Sequence, residues 1–466
     1  MAEFTVAHKR VDITPTAANG QNPWMSGYGW KPRGNRHYVV NRSLHADCAV
    51  LQPDSGNPLI MVRVDVVSVP SFIYRRLRDH VVSMRKTDEA SFLLVSSHTH
   101  SGPALPREPD PYSLFGLTGR QLERINAYGE WLINELIKLI DRTAAEPGVG
   151  VILKYGVGEE RGISVNRTGL SWVLDDVQTL VAYRDRTNTP ELALLGFACH
   201  PVSWGEQPVY DTDYPGVATQ VLENSLECPV MFFTGCAGDQ NPYRNDGDAA
   251  VVEIGTRIGN AALTKINSGL SPVSGPVRTV FRRVQLPLAV NLADCATRAG
   301  VNNRYGQEKA AAEARGDLPV ARFCEVMQAE LADVTSPTVV SLPVQYWKFG
   351  TDFGILALGG EVLSGYHVGL HRLVQDSGVR LWVMAYADEI PCYIPADDVL
   401  WHSGDARMHY ESGWVDDPTF TGFYTSLMAY GWPVPLASSQ PVGTSPATPE
   451  SAEGRLMATC RNILGR

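Results

Sequence analysis

The sequence predicts an α/β fold in which a mixed sheet core is flanked by helices, built as one unit over residues 1–466. Three observations predict it. Short, uninterrupted apolar runs recur along the chain; segments with helical spacing of apolar residues lie between several of them; and 44% hydrophobic with 19% charged content suits a globular chain with an ample core. A short apolar run without polar alternation is what a strand buried on both faces requires. Strands that alternate with helices build a sheet covered by helices.

In chain order, PLIMVRVDVVSV, SFLLVSS, ELALLGFAC, PVMFFTGCA, FGILALGG and RLWVMAY read as buried strands. From Gln121 to Arg142, Leu122, Ile125, Leu132, Leu136 and Ile140 keep helical spacing, and AAVVEIGTRIGNAALTKI repeats the pattern. The Ala/Glu-rich stretch 304–334 predicts a helical region broken near Gly316 and Pro319. Residues 433–455 are rich in Pro, Ser and Thr and predict an irregular segment before a last helix, RLMATCRNILGR. No internal repeat is visible.

Composition narrows the function. A net charge of -10 without long Lys/Arg runs argues against a nucleic-acid partner. No apolar stretch approaches the roughly 20 residues of a membrane span, so no stable membrane association is expected. The opening MAEFTVAHKRVDITP lacks the parts of a secretory signal, which makes a cytoplasmic protein the expectation. The eight cysteines form no C-x-x-C pair and are expected to be free, mostly buried thiols. Oligomeric state is not legible.

In open α/β sheets, ligands sit beyond the strand ends. SFLLVSS ends in His98 and His100, two positions apart and therefore on one face of an extended chain. ELALLGFAC ends in His200, FGILALGG in Glu361, and RLWVMAYADEIPC in Tyr393. Each has a plainer reading: a pair of surface histidines, a strand-end cap, the first-turn acid of a helix EVLSGYHVGL, a half-buried aromatic. Their shared placement favours a site. Imidazole nitrogen with carboxylate or phenolate oxygen suits Zn2+, and two histidines with one glutamate leave room for a water.

The chain also resembles the neutral ceramidase family, in its N-terminal catalytic domain. RVDITP, MSGYGW, SSHTHSGPA, VNRTG, FACHPVSWG, YDTDYPG, GCAGDQNP, LGGEVLSG and YIPADD follow in the family's order over most of the chain. The resemblance implies that His98, His200, Glu361 and Tyr393 bind zinc, that Tyr393 also swings to substrate, and that His100 and Arg167 act beside the metal on the reacting group. Arg167 has a plainer reading as an ion-pair partner of Asp213.

Two departures bear on function. The family's G-D-V-S-P-N segment reads Gly238-Asp239-Gln240-Asn241-Pro242-Tyr243 here, so Asn241 stands where the family has a serine. Asparagine cannot attack, but its amide can hold water or a substrate oxygen. The family's C-terminal immunoglobulin-like domain is expected to be absent. The expectation is therefore a zinc-dependent hydrolase that cleaves an amide or ester of a small, soluble molecule by attack of metal-bound water, with His100, Arg167, Tyr393 and Asn241 in the reaction. Two alternatives stand beside it: a carbohydrate-active lyase or glycosidase-like enzyme on the same metal site, and an inactive zinc-stabilised scaffold.

Overall fold

The computed structural model describes the chain except residues 1–2, 20–21, 29–32, 86, 107–116, 118, 169–171, 333–337, 401–429, 431, 435 and 438–449. Two sheets lie at its centre. The nine-stranded sheet runs Val230–Thr234, Pro190–Phe197, Asp176–Arg184, Val149–Glu159, Phe4–Asp12, His45–Pro53, Leu59–Val64 and Phe92–Ser96, with Ser271–Val273 added beside Val149–Glu159. A four-stranded sheet runs Val277–Pro287, Val339–Phe349, Phe353–Leu358 and Arg380–Met384. Both are mixed, as expected. The chain is thus α/β with a mixed-sheet core flanked by helices.

The apolar runs are explained by what each face meets. In Phe92–Ser96, Leu93 and Val95 point into a core shared with the small sheet, among Trp347, Phe353 and Trp382. Phe92 and Leu94 point the other way, onto helices Ser71–Arg85 and Arg120–Ala144. The same split divides Pro190–Phe197: Leu192 and Leu194 face the small sheet, while Leu195 and Phe197 face helices Asp213–Leu226 and Asp248–Ser268. In the small sheet Ile355 and Trp382 face inward, and Leu356 and Val383 meet the helices Ser364–Val374 and Ala452–Leu464. Two sheets face to face, with helices outside each, bury both faces of these central strands. Each such side chain contributes about 1.5–3 kcal/mol by burial. Truncating Leu94 to alanine, which also leaves a cavity, costs about 2–5 kcal/mol.

Within the two central sheets, three pairs of neighbouring strands are parallel among the described residues: Leu59–Val64 with Phe92–Ser96, Pro190–Phe197 with Val230–Thr234, and Phe353–Leu358 with Arg380–Met384. Their C-terminal ends are stitched together. Ser96 N donates to Tyr386 O at 3.2 Å, Ala385 N to Thr234 O at 3.0 Å, and Thr234 Oγ1 to Ser97 O at 2.9 Å. The loops leaving these ends therefore meet at one place.

All six apolar runs are strands and the two periodic segments are helices. Elsewhere the structure differs from expectation in detail. The Ala/Glu-rich region begins at Cys295, where Asp294 accepts from Thr297 N at 2.7 Å as an N-cap, and breaks around Gly316 as predicted. Glu361 lies in a two-residue strand, Glu361–Val362, and the helix after it starts at Ser364. The last helix starts at Ala452, inside the segment 433–455, most of which lies outside the described residues. Eight cysteines are free and all but Cys295 are buried. Among the described residues no helix is long and apolar enough to cross a membrane.

Candidate metal centre

His98 follows its strand in the left-handed region, φ 64°, a conformation that non-glycine residues hold only where the surroundings impose it. Its amide donates to Val66 O at 3.1 Å, and its Nδ1 to Val67 O at 2.5 Å. His200 is fixed in the same manner. Its amide donates to Gln240 O at 2.7 Å and its Nδ1 to Ala237 O at 2.6 Å. A carbonyl can only accept, so each Nδ1 carries the proton and each Nε2 presents a bare lone pair. His100 N donates to Pro201 O at 3.2 Å, which ties the two histidine loops together.

The acid side comes from beside the small sheet. Glu361 pairs in register with Tyr393 in a short parallel bridge. Gly360, with φ +79°, makes the turn before it; a Cβ there would stand 2.9 Å from Cys392 O, so a side chain is excluded.

These side chains converge. His98 Nε2 lies 3.1 Å from His100 Nε2 and 3.0 Å from Glu361 Oε2; His200 Nε2 lies 3.2 Å from Glu361 Oε2 and 3.1 Å from the Tyr393 hydroxyl. All are buried. One ring nitrogen from each of His98, His100 and His200 lies within 4.8 Å of the other two, so these three could hold a metal ion. That set includes His100, which the resemblance places beside the metal.

The donor atoms say more. With each Nδ1–H committed to a carbonyl, His98 and His200 turn lone pairs toward the same Glu361 oxygen, three acceptors that a cation between them would satisfy. On His200 a proton does not fill the need at neutral pH, because burial and nearby Arg167 push it down to about 4. His100 is also held well below its ordinary value, by burial and then by His98 and His200. Burial works against the Glu361 carboxylate, and it is positive charge at the facing His98 and His200 nitrogens that holds its pKa well below the ordinary value, a charge that a metal ion between them also provides. The residues fit a metal such as zinc, whose arms of about 2.0–2.1 Å bring ligand atoms roughly this close together.

Arg167 stands against this group. Its Nη2 donates to the Tyr393 hydroxyl at 3.0 Å and to Gly238 O at 2.5 Å. Asp213, its alternative partner from sequence, accepts from the Trp204 and Tyr214 amides at 2.8 and 2.7 Å. Asn241 sits in the short strand Gln240–Pro242, opposite Val165. Its neighbours touch the site through the backbone: Gln240 O accepts from His200 N, and Asp239 O from Arg167 N. The Asn241 Oδ1 is buried and has no hydrogen-bond partner among the described residues.

Two contributors were not legible as site residues. Tyr430 donates to Glu361 Oε1 at 2.6 Å, occupying the oxygen that faces away from the histidines; an isolated tyrosine 69 residues along gives no sequence signal. Asp239 accepts from Ser364 N at 2.8 Å, Ser364 Oγ at 2.6 Å and Asn166 Nδ2 at 2.9 Å, joining the Arg167 loop to the helix after Glu361. It lies within GCAGDQNP, two residues before Asn241.

No protein-family model matches the sequence. No curated protein matches it in sequence. Among solved structures, the chain superposes on the crystal structure of neutral ceramidase from Pseudomonas aeruginosa with a TM-score of 0.63 and 17% identity, over 96% of this chain and 78% of that one. A ceramidase complexed with C2 gives the same TM-score at 15% identity and the same coverage. Over nearly its whole described length, the chain therefore has the fold of neutral ceramidase, with a metal-capable histidine cluster at its strand ends.

Proposed function

We propose that the protein is a zinc-dependent hydrolase that cleaves an amide or ester bond. The observation that carries this reading is the ring of lone-pair donors facing one another: His98, His200 and Glu361 with Tyr393 at its edge. The shared ceramidase fold supports the same class of reaction. In this reading His98, His200, Glu361 and Tyr393 hold the metal. When bound, zinc supplies a Lewis acid and brings the pKa of a water from 15.7 to about 7.

The remaining steps belong to the chain's own groups. Arg167 donates to the Tyr393 hydroxyl, so the two together offer donors to the oxygen on which negative charge develops. His100 differs from its neighbours. Its Nδ1 is buried without a hydrogen-bond partner among the described residues, so no carbonyl fixes its tautomer, and it is free to carry a proton to the leaving group. Asn241 has an open carboxamide oxygen that can orient water or a substrate N–H or O–H, and it cannot form an acyl intermediate. The reading includes a small, water-soluble compound as substrate and a cytoplasmic location, which the eight free thiols support.

The test is a screen of zinc-loaded protein against N-acyl and O-acyl compounds, both soluble and lipid. Turnover of short, soluble amides or esters is expected. Cleavage confined to long-chain ceramide in detergent micelles overturns the substrate class, and no turnover of any acyl compound overturns the hydrolase.

A further inference from the structure

Arg33 closes the hairpin Trp24–Met25/Arg33–Gly34 and is 7% exposed. Its Nη2 donates to two main-chain oxygens, Ser26 O and, at 2.5 Å, His100 O. Its Nε and Nη1 are buried and have no hydrogen-bond partner among the described residues. The guanidinium lies 4.5 Å over the Tyr28 ring, and Tyr28 packs edge-on against His100 at 5.1 Å. Gly27, between them at φ +119°, lets this loop close on the histidine: a Cβ there would be 2.7 Å from His100 Cγ. The cation is thus built into the His100 side of the candidate centre.

Beyond the Tyr28 ring and two carbonyls, no carboxylate among the described residues meets its charge at contact distance. Arg33 makes no ion pair among the described residues, and Glu206, which feels it electrostatically, is an exposed side chain. Burial lowers its pKa to about 10, which leaves it fully charged at neutral pH. A desolvated guanidinium with open N–H groups is costly to keep, and what satisfies it best is an oxyanion. Metal chemistry on a neutral amide makes no demand for such a group.

We propose that Arg33 binds a carboxylate of the substrate, so that the compound cleaved is an acyl compound carrying an anionic group near the scissile bond. The inference rests on the hydrolase reading for its substrate class, but the docking itself is a property of Arg33 and His100. The competing account makes Arg33 a clamp that merely holds the Ser26 and His100 carbonyls.

The experiment uses calorimetric titration of chelator-treated protein with N-acetylglycine and with its uncharged amide, N-acetylglycinamide. Without metal, a carboxylate cannot gain by coordination. Wild-type protein is expected to bind the acid at least about tenfold more tightly than the amide, R33M to lose the difference, and R33K to keep part of it. Equal affinity for the two ligands in the wild type, or an undiminished preference in folded R33M, overturns the proposal. If R33M fails to fold, R33K decides: the proposal requires a reduced but surviving preference, and an unchanged one contradicts it. A protein that shows the preference yet turns over no acyl compound when zinc-loaded separates failure of the hydrolase reading from failure of this one.

Discussion

His98, His100 and His200 leave the nine-stranded sheet, whereas Glu361 and Tyr393 stand beside the four-stranded one, and the two groups are held differently. His98 and His200 are each fixed at two points by main-chain atoms, through the amide and through Nδ1. Glu361 and Tyr393 are oriented by side chains, Tyr430 on one oxygen of the acid and Arg167 on the phenol. Backbone ties are set by the fold and cannot be altered by a neighbouring rotamer; side-chain ties can. The nitrogen side is therefore placed rigidly, whereas the oxygen side depends on the rotamers of Tyr430 and Arg167.

That difference can be broken from either side. The largest effect is expected within the histidine group, at the member without a carbonyl on Nδ1. His100→Ala is expected to cut turnover by roughly 10²- to 10⁴-fold, the range of general acid–base catalysis. Asn241→Ala, which loses one hydrogen bond worth about 1–3 kcal/mol, is expected to cut it roughly 5- to 150-fold. Steady-state kinetics of the two variants checks the ranking, and equal losses show it to be wrong.

On the oxygen side, Tyr430→Phe removes the donor to Glu361 Oε1 and leaves the metal ligands intact. Such outer partners are typically worth 10- to 100-fold in metal affinity or activity, so zinc binding is expected to weaken by about that much. Competition with a chelator of known affinity measures it. An unchanged zinc affinity would mean that Glu361 is placed by its strand alone.

A smaller effect is expected from pH on the metal-free protein. His200 titrates at about 4 in the fold and at about 6.5 when unfolded. Below about 6.5 the unfolded chain therefore binds more protons, and the stability associated with a neutral His200, fully present above that pH, is lost as pH falls toward 4. The slope is about 1.4 kcal/mol per pH unit for one histidine. Asp213, pushed up to about 7 by burial, acts with the opposite sign, so the histidine contribution is read as the difference between wild type and His200→Ala. Urea denaturation at pH 7.5 and 5 measures it; parallel pH dependences in the two proteins contradict the assignment.

What the sequence made legible follows from the same physics. Strands buried on both faces become unbroken apolar runs, so the six central strands stood out, and with them the residues at their ends. Phe4–Asp12 and Val277–Pro287 carry charged and partly exposed positions, and their pairing is set by long-range neighbours that no local pattern reveals. The histidines, Glu361 and Tyr393 could be placed at strand ends and matched to a family's motifs. Their tautomers could not, because Val67 O and Ala237 O are main-chain atoms whose direction depends on the folded loops. Arg33 gives no sequence signal for a related reason: an arginine reads as solvated until the structure shows it buried beside His100. Residues 106–119, which follow the histidine pair in sequence, lie mostly outside the described residues.

The central claim is that the strand-end histidines hold one catalytic zinc. Metal analysis of purified wild type beside the His98→Ala/His200→Ala double variant, with turnover measured on the same samples, tests it most directly. The account predicts about one zinc per chain in the wild type, none in the folded double variant, and activity that follows the metal. Full zinc occupancy in the double variant, or turnover in wild-type protein from which the metal has been stripped, would contradict it.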